Sequence, residues 1–150
     1  MSTHYQSALR GLVLLSVLMI APLWSAEELV EKDWPWATVS VPVSAAPGEE
    51  FTVKIAVKET ALTADNKLWA GLHLFIDGKR KPTGSYNKPA QELKAGVASD
   101  NTFTFKMPNK PGLQAVSVVV WVSPTGGWKD KVLNGGIGVK TAAQPVAEGE

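Results

Sequence analysis

Phe51-Thr52-Val53-Lys54-Ile55-Ala56-Val57-Lys58 alternates apolar and polar side chains with a period of two, the pattern of a strand that buries one face and wets the other. Phe51, Val53, Ile55 and Val57 form the inward set, with Thr52, Lys54 and Lys58 outward. On a helix those four apolar residues would fall on two opposite sides, leaving no single face to bury. Ala46-Pro47-Gly48-Glu49 before them is a turn. Further back, Val39, Val41 and Val43 repeat the alternation in a first strand, where Pro42 suggests a sheet edge.

In the other direction a polar loop, 59–67, leads to Leu68–Ile76, a central strand that is apolar on both faces. Leu68, Ala70, Leu72, Leu74 and Ile76 share one face, and Trp69, Gly71, His73 and Phe75 the other. Asp77-Gly78 is a hairpin signal that turns the chain into Lys79-Arg80-Lys81. Residues 82–100 read as the longest irregular piece. Phe103, Phe105 and Met107 mark the next strand, Pro111-Gly112 the next turn, and Leu113–Val122 a long strand rich in β-branched residues. Pro124-Thr-Gly-Gly-Trp128 closes it, Val132–Thr141 supplies a last strand containing Gly135, Gly136 and Gly138, and 142–150 is expected to be a disordered tail. Short strands at a spacing of about ten residues predict an all-β fold, a two-sheet sandwich of about seven strands over 38–141.

Pro47–Val57, Leu74–Lys79, Asn101–Lys106 and Pro111–Val120 resemble the B, C, E and F strand segments of bacterial immunoglobulin-like adhesion and accessory domains. The resemblance spans residues 38–140 and implies an immunoglobulin-like sandwich. It implies binding, spacing or adhesion rather than any one activity. The chain contains no cysteine, so the disulfide of antibody domains is missing, as it usually is in the bacterial relatives that the chain resembles. Absence of cysteine also excludes thiolate metal sites, a cysteine nucleophile and a lipid-modified cysteine.

Ahead of the domain, a short polar stretch ends at Arg10 and runs into the apolar segment Gly11–Leu23. That is the length of a signal-peptide hydrophobic region, with cleavage expected near Ser25 or Ala26. Leu23 and Trp24 are poorly suited to the position where a small residue is preferred, which keeps open an uncleaved apolar helix over 8–26 acting as a membrane anchor, with Arg10 on the cytoplasmic side. Either way the domain lies outside the cytoplasm, periplasmic or extracellular, with 27–37 as a linker.

The formal net charge of +1 hides a segregation. Residues 34–147 hold 13 basic and 8 acidic side chains, a balance of +5, and the excess lies between Lys79 and Lys110. A solvated lysine-rich face explains it, and an acidic partner surface is the sharper alternative. Nucleic acid fits poorly, because the basic residues are not interleaved with stacking aromatics.

No catalytic, cofactor or metal constellation is legible. Beyond the apolar segment the chain has one histidine, His73, with no second imidazole to complete a zinc or copper pattern. Asp65, Asp77, Asp100 and Asp130 fall at or near loops, where aspartate serves turn geometry. The aromatics are more informative. Trp121, deep in a β-branched strand, is expected in the core. Trp69, His73 and Phe75 share a face whose cover is not evident, and Trp128 follows a Gly-Gly turn. Trp34 and Trp36 precede the first strand, where they either clamp the end of the sandwich, sit at a membrane interface or contact a partner. The expected function is a non-catalytic interaction module, an accessory or structural subunit docking on a membrane or periplasmic assembly through Trp34, Trp36, Trp128 and the Trp69–His73 face. The alternative is a secreted carbohydrate-binding module in which Trp128, Tyr86 and Trp69 stack on sugar rings.

Overall fold

The alternation that begins at Phe51 is realised residue by residue: Glu50–Val57 forms a strand whose side chains are exposed and buried in strict succession. A computed structural model describes residues 28–142. The expected apolar helix over 8–26 and the tail beyond Ala142 lie outside the described residues.

Among the described residues ten strands make two sheets. They are β1 (Leu29–Asp33), β2 (Ala37–Pro42), β3 (Ser44–Ala45), β4 (Glu50–Val57), β5 (Asn66–Ile76), β6 (Lys79–Lys81), β7 (Gln91–Leu93), β8 (Ser99–Lys106), β9 (Leu113–Val122) and β10 (Leu133–Thr141). One sheet has the order β1-β2-β4-β8; the other runs β3-β10-β9-β5-β6, with β7 also on β5. All pairings are antiparallel except β3 with β10.

The core lies between the sheets. Cross-strand rows such as Leu72–Val118–Ile137 and Leu74–Val116–Val139 point inward from the six-stranded sheet. They meet Phe51, Val53, Ile55, Phe103 and Phe105 from the four-stranded one, all under 5% exposed. Burial of these side chains drives the fold at roughly 1.5–3 kcal/mol each.

Four differences from the sequence reading have local causes. Strands number ten rather than about seven, because β1, β3, β6 and β7 are two to five residues long and too short to show a period. The expected linker 27–37 contains β1, which pairs from Leu29↔Pro42 to Asp33↔Thr38 although all five of its side chains are exposed; a wholly solvent-facing edge strand has no apolar face to betray it. β2 is consequently internal, and Pro42 stands at its end instead of on a sheet edge. There Val43 passes the chain between sheets: its N–H donates to Glu28 O at 3.0 Å on one side, and its carbonyl accepts from Lys140 N at 3.1 Å on the other. Finally, the irregular stretch 82–100 holds β7 and the start of β8.

Candidate functional site

The register of the six-stranded sheet sorts its outer face into rows. Trp69, Trp121 and Asn134 form one row, Gly71, Val119 and Gly136 the next, His73, Ser117 and Gly138 the third, and Phe75, Ala115 and Lys140 the fourth. The two middle rows carry little side chain on β10 because Gly136 and Gly138 have none. They make a floor between a tryptophan wall and a wall of Phe75 and its β6 partner Arg80. At ~3.3 Å per residue the two bounding rows stand about 20 Å apart.

The tryptophan wall is held by a tightly bonded loop. Ser123, fully buried, accepts N–H groups of Thr125 (3.3 Å) and Gly126 (3.1 Å) on its hydroxyl and donates to Gly127 O at 3.1 Å. Trp69 Nε1 donates to Ser123 O at 2.7 Å, and Trp121 Nε1 to Gly126 O at 3.0 Å. Thr125 Oγ1 donates to Asp130 Oδ2 at 2.7 Å, bracing a 3₁₀ turn, Trp128–Asp130. Trp69 and Trp121 stack at 6.4 Å between centroids, and Trp128 meets Trp121 edge-on at 6.0 Å. Lys131 Nζ lies 4.4 Å from the centre of the Trp128 ring, within cation–π range. Two of the three indole N–H groups are therefore spent on the loop, whereas Trp128, 48% exposed, presents its ring to solvent.

Trp121, expected in the core, is buried as expected but lies outside the cluster between the sheets. It is 7% exposed, yet it stands on the side of the sheet away from the core, covered by Trp69, Trp128 and the loop. β-branched neighbours on both faces of β9 concealed which face the ring takes.

Opposite, the segment after β6 lies on β5. Lys88 N donates to Ala70 O at 2.8 Å, and a Cβ on Gly71 would collide with the Asn87 side chain. His73 Nδ1 accepts from Arg80 Nε at 3.1 Å and Nη2 at 2.7 Å. Since guanidinium only donates, Nδ1 is the acceptor and Nε2 carries the proton. Burial, and secondarily the Arg80 charge, hold the His73 pKa below its ordinary 6.5. The ring is therefore neutral at pH 7. A folded pKa below the unfolded one means that the unfolded chain binds more protons, so this group's stabilisation is present above about pH 6.5 and is lost as pH falls through the folded pKa. NMR titration of the His73 ring is expected to show a midpoint below 6.5 that rises in Arg80→Gln; an unmoved midpoint would exclude the Arg80 contribution.

Between the walls lie two adjoining hollows of about 590 and 560 Å³ that share Val119 and Trp128. One extends over Gly71, Trp121 and Pro82, the other towards Arg80 and Lys32. Lys32 reaches from β1 to donate to Gly136 O at 3.2 Å. The whole is an open trough crossing three strands.

Of the residues singled out from sequence, the structure brings Trp69, His73 and Trp128 to this face. Tyr86 packs part-buried against the core cluster and does not line the trough. Trp34 and Trp36 are 6% and 5% exposed and stack on each other at 5.3 Å, so of the roles considered for them they take the clamp at the sandwich end and offer no free surface to a partner. Arg80, Lys32 and Asn87 were not singled out; only the hairpin register could have hinted at Arg80, as the cross-strand partner of Phe75.

No family model matches the chain, and no curated protein matches it. Among solved structures it is similar to the N-terminal domain of PorA, at 9% identity over 76% of this chain and 84% of that one, with a TM-score of 0.37.

Proposed function

We propose that the chain is a non-catalytic binding module on the outer side of the membrane, periplasmic or extracellular, and that its ligand occupies the trough. The observation that carries this is Trp128: an indole 48% exposed, on a braced turn, lining both hollows. An exposed large aromatic ring beside a concavity is the usual anchor of a binding surface. A saccharide suits it, because the indole supplies a face for a sugar ring while Asn87, Thr83, Ser117 and Asn134 supply amide and hydroxyl groups for its hydroxyls. Ser117 and His73 are cross-strand neighbours but share no hydrogen bond, and Nδ1 of the imidazole is engaged by Arg80, which favours binding over catalysis. Trp128→Ala is expected to abolish signal on a glycan array and in calorimetric titration while changing stability by less than about 1 kcal/mol. Wild-type binding by that variant would remove the trough from the proposal.

An immunoglobulin-like topology belongs to the same reading. Its support is the passage of the chain between sheets at Val43, from β2 to β3, and the parallel pairing of β3 with β10, both consistent with the B, C, E and F assignments made from sequence.

β1 favours a second reading, that of an accessory subunit docked on a membrane or periplasmic assembly. Leu29 and Val30 are 54% and 39% exposed on an edge strand shortly after the apolar segment. Intact mass in separated membrane and soluble extracytoplasmic fractions decides between the two: full length in the membrane favours the subunit, and a mass starting near Ala26 or Glu27 in the soluble fraction favours the free binder.

A further inference from the structure

We propose that the ligand of the trough is an oligosaccharide bearing a carboxylate, one ring against Trp128 and an acid group further along the trough, between Arg80 and Lys32. This rests on the saccharide reading above and adds the charge of the ligand.

Neither hollow has an aspartate or glutamate in its wall. The charged side chains there are Lys32 and Arg80, and His73 adds an N–H donor because its Nδ1 is taken. Neutral sugar hydroxyls both donate and accept. A wall with surplus donors and no carboxylate is matched by a ligand with surplus acceptors, and a carboxylate is the one that also answers the charge.

Arg80 is prepared for that role. His73 occupies the Nε/Nη2 edge of its guanidinium, and the Nη1/Nη2 edge is left with two parallel N–H groups, the geometry that takes a carboxylate in bidentate fashion. Fixing the planar group before the ligand arrives removes part of the ordering cost of binding. Its charge is also uncompensated: among the described residues the ion pairs are Lys58–Asp33 and Lys94–Asp65, neither of which involves a trough residue. Charge and stacking surface open on the same hollow, because Trp128 and Val119 line the cationic hollow as well as the apolar one.

A saccharide fits better than an acidic polypeptide. The trough crosses the strands over the face of the sheet, where β9 is paired on both sides, and on the side of β10 away from β9 the carbonyls of Gly136 and Asn134 already accept from Lys32 Nζ and Trp36 Nε1, which disfavours strand addition by an extended peptide. The flat glycine floor and the exposed indole are matched instead by rings.

The test is calorimetric titration of the natively processed protein with trisaccharides of galacturonate, glucuronate and mannuronate, their neutral galactose, glucose and mannose counterparts, and tetraglutamate. At least one uronate is expected to bind ten times or more tightly than its neutral counterpart. Arg80→Gln, with near-UV circular dichroism unchanged, is expected to erase that preference, and Trp128→Ala to abolish binding of acid and neutral forms alike. Equal binding of acid and neutral sugars overturns the inference and leaves the saccharide reading standing. Tetraglutamate bound more tightly than every uronate overturns both in favour of an acidic polypeptide. Binding of no uronate overturns the inference, and silence of the neutral sugars as well removes the saccharide reading with it.

Discussion

Trp34→Ala is expected to cost about 3–5 kcal/mol of folding stability, a large part of the roughly 5–15 kcal/mol available to a domain of this size. Trp34 is 6% exposed, stacks on Trp36, and lies so close to Gly135 that a Cβ there would enter its indole. Gly135 sits in β10 opposite Val120, with its missing side chain on the core face. The glycine is thus the space into which the ring fits, and Trp36 Nε1, donating to Asn134 O at 3.2 Å, ties the same corner. Gly135→Ala in the wild-type background is expected to lose about 1–3 kcal/mol, since the ring must move to admit the methyl group. In the Trp34→Ala background the indole atoms that the new methyl group would strike are gone, and removal of a strand glycine should then be neutral or slightly stabilising. Denaturant unfolding of the four proteins gives the coupling directly. Additive losses would show that the two residues do not share a space.

This corner also shows why some parts of the fold were legible in the sequence and others were not. β4, β5, β8, β9 and β10 each put several apolar residues on one face, so period and composition located them within a few residues. β1 puts none inside; its evidence is hydrogen bonding alone, and sequence does not display that. Trp34 and Trp36 looked like residues of a linker because they precede the first visible alternation, yet β1 returns the chain beside β2 and delivers both rings to the end of the core. The site was half legible. Trp69, His73 and Phe75 were assigned to one face correctly from the period of β5, and Trp128 to an exposed turn. The burial of Trp121 was legible but its side of the sheet was not, since β9 is apolar on both faces and period cannot choose between them. Arg80 was hidden by its neighbours: in Lys79-Arg80-Lys81 every residue is a cation, and only the pairing Phe75↔Arg80 singles one out.

Ser123→Ala is the second large effect, and it separates stability from site geometry. The Ser123 side chain is completely buried at the end of β9 and serves three backbone groups: it accepts from Thr125 N and Gly126 N and donates to Gly127 O. Alanine fills nearly the same volume, so packing is retained and the loss falls on hydrogen bonding, with an expected cost of about 1–3 kcal/mol for partners left without their bond. The local consequence is larger than that figure suggests. Gly126 O receives the Trp121 indole and Gly127 leads into the turn that carries Trp128, so loosening 125–127 lets the exposed ring depart from the trough. Hydrogen exchange should therefore accelerate at the amide of Gly126, which bonds the lost hydroxyl. The Trp69 indole N–H, which bonds the Ser123 backbone carbonyl, should stay protected. Ligand affinity is expected to fall well beyond what the stability change explains, because a folded domain with a wandering Trp128 has its floor and cations in place but has lost the surface on which a ring stacks. Uniform acceleration at both positions would mean that the loop and the sheet open together, and that Ser123 supports the fold rather than the site.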